Sequence, residues 1–169
     1  KPLYLHLRSA FSSLVNLLEG ETVASLMNTN ATAVGESHQS LLKYFAEGNG
    51  PSCVVHCFTG SMEELQYYVN MGCYIGLTGH VFTLPLETLQ QMLHIIPLNR
   101  LVIETDAPYM GFKGCRETED KAKSRKYPNV PAALPKIAAY IAETLNVPFD
   151  LVCSETTKNA MEFFVSKGI

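Results

Sequence analysis

No stretch of the sequence approaches the roughly 18 consecutive apolar residues that a membrane-spanning helix requires. The first residues also lack the basic-then-apolar order of a secretory leader. No membrane partner is expected, and a cytosolic or nuclear home is. Charge is modest, with a net value of -3 over 169 residues. That argues against coating nucleic acid by bulk electrostatics and leaves any phosphate binding to a local patch or a metal ion. Cysteines are few and odd in number, at 53, 57, 73, 115 and 153. Cys53 and Cys57 lack zinc-ribbon spacing, so buried reduced thiols are expected rather than a disulfide framework. A Gly-x-Ser-x-Gly elbow, a Walker loop and a dinucleotide fingerprint are all missing. A serine-triad hydrolase is thus unsupported.

What remains, at 47% apolar and 17% charged residues, is an ordinary globular segment of about one domain's length. Its centre of gravity is Leu101-Val102-Ile103-Glu104-Thr105-Asp106-Ala107-Pro108-Tyr109, an apolar run that ends in two carboxylates. As a strand of period two, it sets Leu101 and Ile103 on one side and Val102, Glu104 and Asp106 on the other. Two earlier runs share the design. Leu3-Tyr4-Leu5-His6-Leu7-Arg8 separates its leucines from Tyr4, His6 and Arg8, and Cys53-Val54-Val55-His56-Cys57 puts Val54 with His56. If these strands are neighbours, His6, His56 and Asp106 form a metal site.

Between them lie helical patterns. Ser9 to Leu18 carries Phe11, Leu14, Val15, Leu17 and Leu18 at helical spacing, and Gly20 can end that helix. Glu21 to Ser37 reads as a connection, followed by a helix from about Gln39 to Glu47 that stops at Gly48-Asn49-Gly50-Pro51. Ser61 with Glu64 is a capping-box pattern that predicts a helix to about Gly72. Cys73 to Thr78 predicts a strand with Cys73, Ile75 and Leu77 on one face. A loop at Gly79-His80, a helix over Leu86 to Ile95, the strand at 101, a charge-rich loop over Gly111 to Asn129, a helix opened by Pro131 and a last helical pair over Asp150 to Ser166 complete the chain.

The order β-α-β-α-β-α-β-α predicts parallel strands with right-handed crossovers. A (β/α)8 TIM barrel fits best, with Tyr4, Val54, Gly76 and Val102 pointing inward and catalysis at the carboxyl ends of the strands. An open doubly wound sheet fits less well, because its strands are usually apolar on both faces. Four strands cannot close a barrel. The chain is therefore expected to be the C-terminal half of one domain spanning 1–169, completed by an N-terminal half or by a second copy.

Several runs together resemble the C-terminal half of TatD-family deoxyribonucleases, in the family's order and at roughly its spacing: Leu5-His6-Leu7-Arg8, Val55-His56-Cys57-Phe58-Thr59-Gly60, Tyr74-Ile75-Gly76-Leu77-Thr78-Gly79, Ile103 to Tyr109, and Thr156-Thr157-Lys158-Asn159-Ala160. The resemblance implies a metallo-dependent hydrolase on a TIM barrel that cleaves DNA phosphodiesters. His6, His56 and Asp106 match metal-ligand positions, Glu104 the acidic position before the aspartate, and Arg8 the basic residue near the substrate phosphate. It favours magnesium, whereas mixed imidazole and carboxylate ligands also suit zinc, manganese or cobalt. Departures are the family's His-x-His pair and bridging Glu, which this chain does not carry, a longer stretch between Gly20 and Pro51, and Pro128-Asn129-Val130-Pro131 where many members read Arg-Asn-Glu-Pro. Cleavage by this chain alone is not expected.

Glu104 and Asp106 are the candidate catalytic residues, with Glu104 handling a proton or orienting a histidine. Tyr109 is placed to stack a base or to pack under the following loop. In that loop Lys113, Arg116, Lys121, Lys123, Arg125 and Lys126 stand against Glu117, Glu119 and Asp120, and Lys113 and Arg116 are assigned to substrate. His94 reads as a surface residue, and His80 lies where it could reach substrate. Two rivals are a barrel hydrolase of amides or lactones and a truncated chain that only binds a partner.

Overall fold

A computed structural model describes residues 2–6, 11–20 (side chains through 16), 47–48, 52–116 and 128–165. Arg8, His38, the connection over 21–37, the expected helix near 39–47 up to residue 46 and the basic residues at 121–126 lie outside the described residues. Among the described residues, nine strands and α-helices follow in order: β1 (Leu3–Leu5), α1 (Phe11–Gly20), β2 (Cys53–Val55), α2 (Met62–Asn70), β3 (Tyr74–Leu77), α3 (Leu86–Ile95), β4 (Leu101–Ile103), α4 (Leu134–Leu145) and α5 (Phe149–Phe164).

The strands form one parallel sheet in the order β1-β2-β3-β4, with Tyr4 opposite Val54, Val54 opposite Tyr74, and Gly76 opposite Val102. A strictly sequential parallel order is that of a barrel wall, since a doubly wound sheet reverses order at a switch point. The open-sheet alternative is thereby set aside.

Period two sorts the side chains as expected. Cys53, Val55, Cys73, Ile75, Leu77 and Leu101 face the helices and pack with Leu65, Leu89, Ile137, Ile141 and Val152. Each such aliphatic side chain contributes about 1.5–3 kcal/mol by leaving water. The opposite face carries Val54, Tyr74 and Val102, against which α5 lays Phe163. There Arg100 sits 4.9 Å over the Tyr74 ring and the Tyr74 hydroxyl donates to Glu162 at 3.3 Å, which ties the start of β3 to α5.

The cap at Ser61 forms as the sequence indicates, its Oγ accepting from the Glu64 amide at 3.2 Å. Ser61→Ala should lower stability by about 1 kcal/mol, read as a shifted urea midpoint with an unchanged slope.

Four expectations need correction. The Gly79-His80 loop is a 3-10 turn over Gly79–Thr83, capped by the buried Thr78 hydroxyl. Pro131 opens a 3-10 turn, Pro131–Ala133, and the α-helix starts only at Leu134. The last helical pair is one continuous helix, α5. The strand near 101 ends at Ile103, so Glu104 and Asp106 lie beyond it. Cys53, Cys73 and Cys115 are buried free thiols as expected, whereas Cys57 has left the strand and is half-buried.

Candidate active site

Strand ends bring the polar residues together. His56 follows β2, Glu104 follows β4, and between them runs β3. With strands ~4.8 Å apart, the two side chains start about two spacings from each other and must meet over β3. Gly76 makes this possible. A Cβ there would stand 2.2 Å from Glu104 Oε1 and 3.1 Å from the Val55 carbonyl oxygen, so the carboxylate crosses the sheet through the room that glycine leaves.

Having crossed, Glu104 is fully engaged. Its Oε1 accepts from the Cys57 amide at 2.6 Å, and its Oε2 accepts from the Tyr4 hydroxyl at 2.9 Å and pairs with His56 Nδ1 at 2.6 Å. The Tyr4 hydroxyl also lies 2.7 Å from His56 Nδ1. Cys57 aims its amide by adopting a left-handed backbone at φ 50°, a conformation uphill for a residue with a side chain and a common feature of functional sites. Tyr4 is 51% exposed overall, yet its hydroxyl is pushed well above the usual phenol pKa, first by burial of the hydroxyl end and then by the Glu104 charge. It is therefore a hydrogen-bond donor throughout the neutral range.

The short Nδ1 contact fixes the histidine's proton. Two bare acceptors at 2.6 Å repel, so Nδ1 carries a hydrogen directed at Glu104. On the other side of the ring Nε2 faces Asp106 Oδ1 at 3.3 Å. Either the ring is doubly protonated and ion-paired, or Nε2 is a lone pair facing a carboxylate, an arrangement that needs a shared cation. Two donors each about 2.1 Å from one metal ion stand roughly 3.0–3.4 Å apart, so the His56–Asp106 spacing suits that cation. A carboxylate behind a ligating histidine is also the usual outer support of such a site.

Asp106 reaches this point by a turn rather than by alternation. It sits at φ 56° and Met110 at φ 53°. The Tyr109 amide donates to the Asp106 carbonyl at 2.8 Å, and the Ala107 amide to Thr105 Oγ1 at 3.3 Å. The His6 ring stands edge-on to that of His56 with centroids 5.3 Å apart. Among the described residues, no three His, Cys, Asp or Glu side chains enclose a common metal position. His56 and Asp106 are in contact at 3.3 Å, and the His6 ring lies beside that of His56.

The remaining candidates are in other surroundings. Tyr109 is 71% exposed, so it does not pack beneath its loop as one expectation allowed. Lys113 and Arg116 are exposed. His80 is half-buried, bonded through Nδ1 to Thr83 Oγ1 at 3.0 Å, and its pKa is lowered by burial. His94 is on the surface of α3. Two participants were not foreseen from the sequence: the Tyr4 hydroxyl and the Cys57 amide. For Tyr4 a signal existed, a phenol on the same strand face as His6.

A family model described as TatD related DNase matches residues 1–165. A protein of Rahnella sp. named "3'-5' ssDNA/RNA exonuclease TatD" is 40% identical over 132 residues, 77% of this chain and 48% of the relative. The chain thus spans about half the length of the curated relatives it matches. The crystal structure of a hydrolase TatD family protein from Entamoeba histolytica superposes with a TM-score of 0.64 at 27% identity, over 97% of this chain and 50% of the other. The structure of the Escherichia coli TatD homolog YJJV shares the fold, with a TM-score of 0.62 at 23% identity over 96% and 49% of the two chains. The four β/α units are therefore a half of a TIM barrel of the metallo-dependent hydrolase type, and the chain belongs to the family of TatD related DNases.

Proposed function

We propose that residues 1–169 are the C-terminal half of a single hydrolase domain that cleaves phosphodiester bonds of DNA with the help of divalent metal ions. The observation that carries this reading is the 3.3 Å approach of His56 Nε2 and Asp106 Oδ1 from strands two apart, with Nδ1 already committed to Glu104. The cation would be held by His56, Asp106 and His6, together with ligands from the remaining N-terminal half of the barrel or from a second copy. Magnesium is the ion of choice, with manganese or zinc as substitutes. When bound, it supplies a sink for charge on the phosphate oxygens and an acidified water.

The chain's own residues do the rest. Glu104 Oε2 keeps the proton on Nδ1 and so presents the Nε2 lone pair. Tyr4 and the Cys57 amide keep Glu104 from turning away. The exposed Tyr109 ring offers a stacking surface to an unpaired base, which agrees with single-stranded DNA or RNA as substrate, as in the Rahnella relative's name. Lys113 and Arg116 on the same loop, and Arg8, would meet backbone phosphates. No helix among the described residues is long and apolar enough to cross a membrane, and the cytoplasm or nucleus is the compartment in this reading.

The test uses the full-length protein with single-stranded DNA, RNA, duplex DNA and a panel of amide and lactone substrates. DNA should be degraded with magnesium, degradation should stop with EDTA and return when magnesium is added back. Turnover of amides or lactones without nuclease activity would overturn the reading.

A further inference from the structure

Two buried asparagines bracket β4. At its start, Asn159, 1% exposed, donates through Nδ2 to the Leu98 and Leu101 carbonyls at 2.8 and 2.7 Å. At its end, Asn129, 4% exposed, does the same to Thr105 at 2.6 Å and Met110 at 3.3 Å. Asn129 goes further, because its own amide donates to the Pro108 carbonyl at 3.0 Å and its Oδ1 accepts from the Val130 amide at 3.0 Å. One residue therefore ties three carbonyls of the six-residue turn from Thr105 to Met110, which holds two side-chain-bearing residues, Asp106 and Met110, in the left-handed region.

We propose that Asn129 is a positioning residue for the Asp106 carboxylate, its side chain and amide holding the β4 exit turn in the conformation that turns Asp106 toward His56. Without the two Nδ2 bonds, part-buried carbonyls at both ends of the turn lose their donor. The left-handed residues are then free to relax toward ordinary backbone angles, and the carboxylate moves with them. The inference deepens the metal-dependent reading and rests on it for the role of Asp106.

The experiment compares Asn129→Ala, Asn129→Asp and Asn159→Ala in the full-length protein, reading the visible absorption and dissociation constant of bound Co2+, kcat and KM on single-stranded DNA, and the melting temperature. Asn129→Asp keeps the size and the acceptor for Val130 while losing both donors, so it separates the clamp from cavity formation. Both Asn129 variants should weaken Co2+ binding by about 10- to 100-fold, as removal of outer support does at metal sites. The Co2+ spectrum should change, and kcat should fall by a similar factor with KM within about twofold. Asn159→Ala should lose comparable melting temperature and leave the Co2+ spectrum and kcat intact. Equal thermal losses with no change in spectrum or kcat at Asn129 would overturn the proposal, as would failure of both Asn129 variants to fold. Loss of Co2+ binding by the variants of a protein that degrades no DNA upholds Asn129 and sinks the nuclease reading. A wild-type protein that takes up no Co2+ sinks both.

Discussion

His56→Ala in the full-length protein should cost more in divalent-metal affinity than the about 10- to 100-fold typical of outer partners, and should take magnesium-dependent DNA cleavage below detection. The substitution removes a group that contacts both carboxylates. Nε2 disappears from opposite Asp106 Oδ1, and Nδ1 disappears from Glu104 Oε2. Glu104 still has the Tyr4 hydroxyl and the Cys57 amide, so the local backbone has reason to keep its course. The fold should survive, because His56 lies past the end of β2 and belongs to neither apolar cluster. Calorimetric titration with manganese, a gel assay on single-stranded DNA and a melting curve test all three parts. A variant with wild-type metal affinity would remove His56 from the ligand set.

Gly76→Ala is the second large effect, and it should strike the site harder than the fold. The added methyl would stand 2.2 Å from Glu104 Oε1 and 3.1 Å from the Val55 carbonyl oxygen. The backbone contact needs a shift of a few tenths of an ångström, an overpacking cost of about 1–3 kcal/mol. That corresponds to a melting temperature lower by roughly 2–10 °C. The carboxylate is the end of a movable side chain and can swing aside, but only by giving up bonds of 2.6 Å to the Cys57 amide and to His56. Metal affinity should therefore fall by about 10- to 100-fold. Adding Glu104→Asp withdraws the clashing atom. The double variant should regain part of the stability, with a coupling of about 0.5–3 kcal/mol, and none of the metal affinity. A Gly76→Ala protein indistinguishable from wild type in both readings would show that Glu104 does not need the path over β3.

Much of this architecture is legible in the sequence because one face of each strand is apolar. Alternation in Cys53-Val54-Val55 and in Cys73-Tyr74-Ile75-Gly76-Leu77 sorts the core face from the inner face correctly, and Ser61 with Glu64 marks the start of α2. His6 and His56 each lie one residue past the end of β1 and β2, so alternation places their strands and not the two rings themselves. Asp106 meets His56 by a route other than the expected one, since period two stops at Ile103 and a left-handed turn does what extended backbone was expected to do. What stays hidden depends on contacts between residues far apart along the chain. Nothing near Gly76 announces that a carboxylate 28 positions later must pass over it, and nothing near Asn129 names the carbonyls of Thr105 and Met110 as its partners. A hydrogen-bonding residue shows its capacity in the sequence, whereas its choice of partner exists only once the strands are side by side.

The rim has one further property. Phe82, from the turn after β3, is sandwiched between Phe112, from the loop after β4, and Tyr140 of α4, with ring centroids 4.0 and 4.6 Å away and planes within 17° and 14° of parallel. Two neighbouring exit loops are thereby riveted to the same helix, and a residue on one cannot be enlarged without jostling the other. Divergence among descendants of this sequence should then be channelled to the outward-pointing Tyr109, Lys113 and Arg116, leaving the stacked rings as the quiet half of an evolving surface.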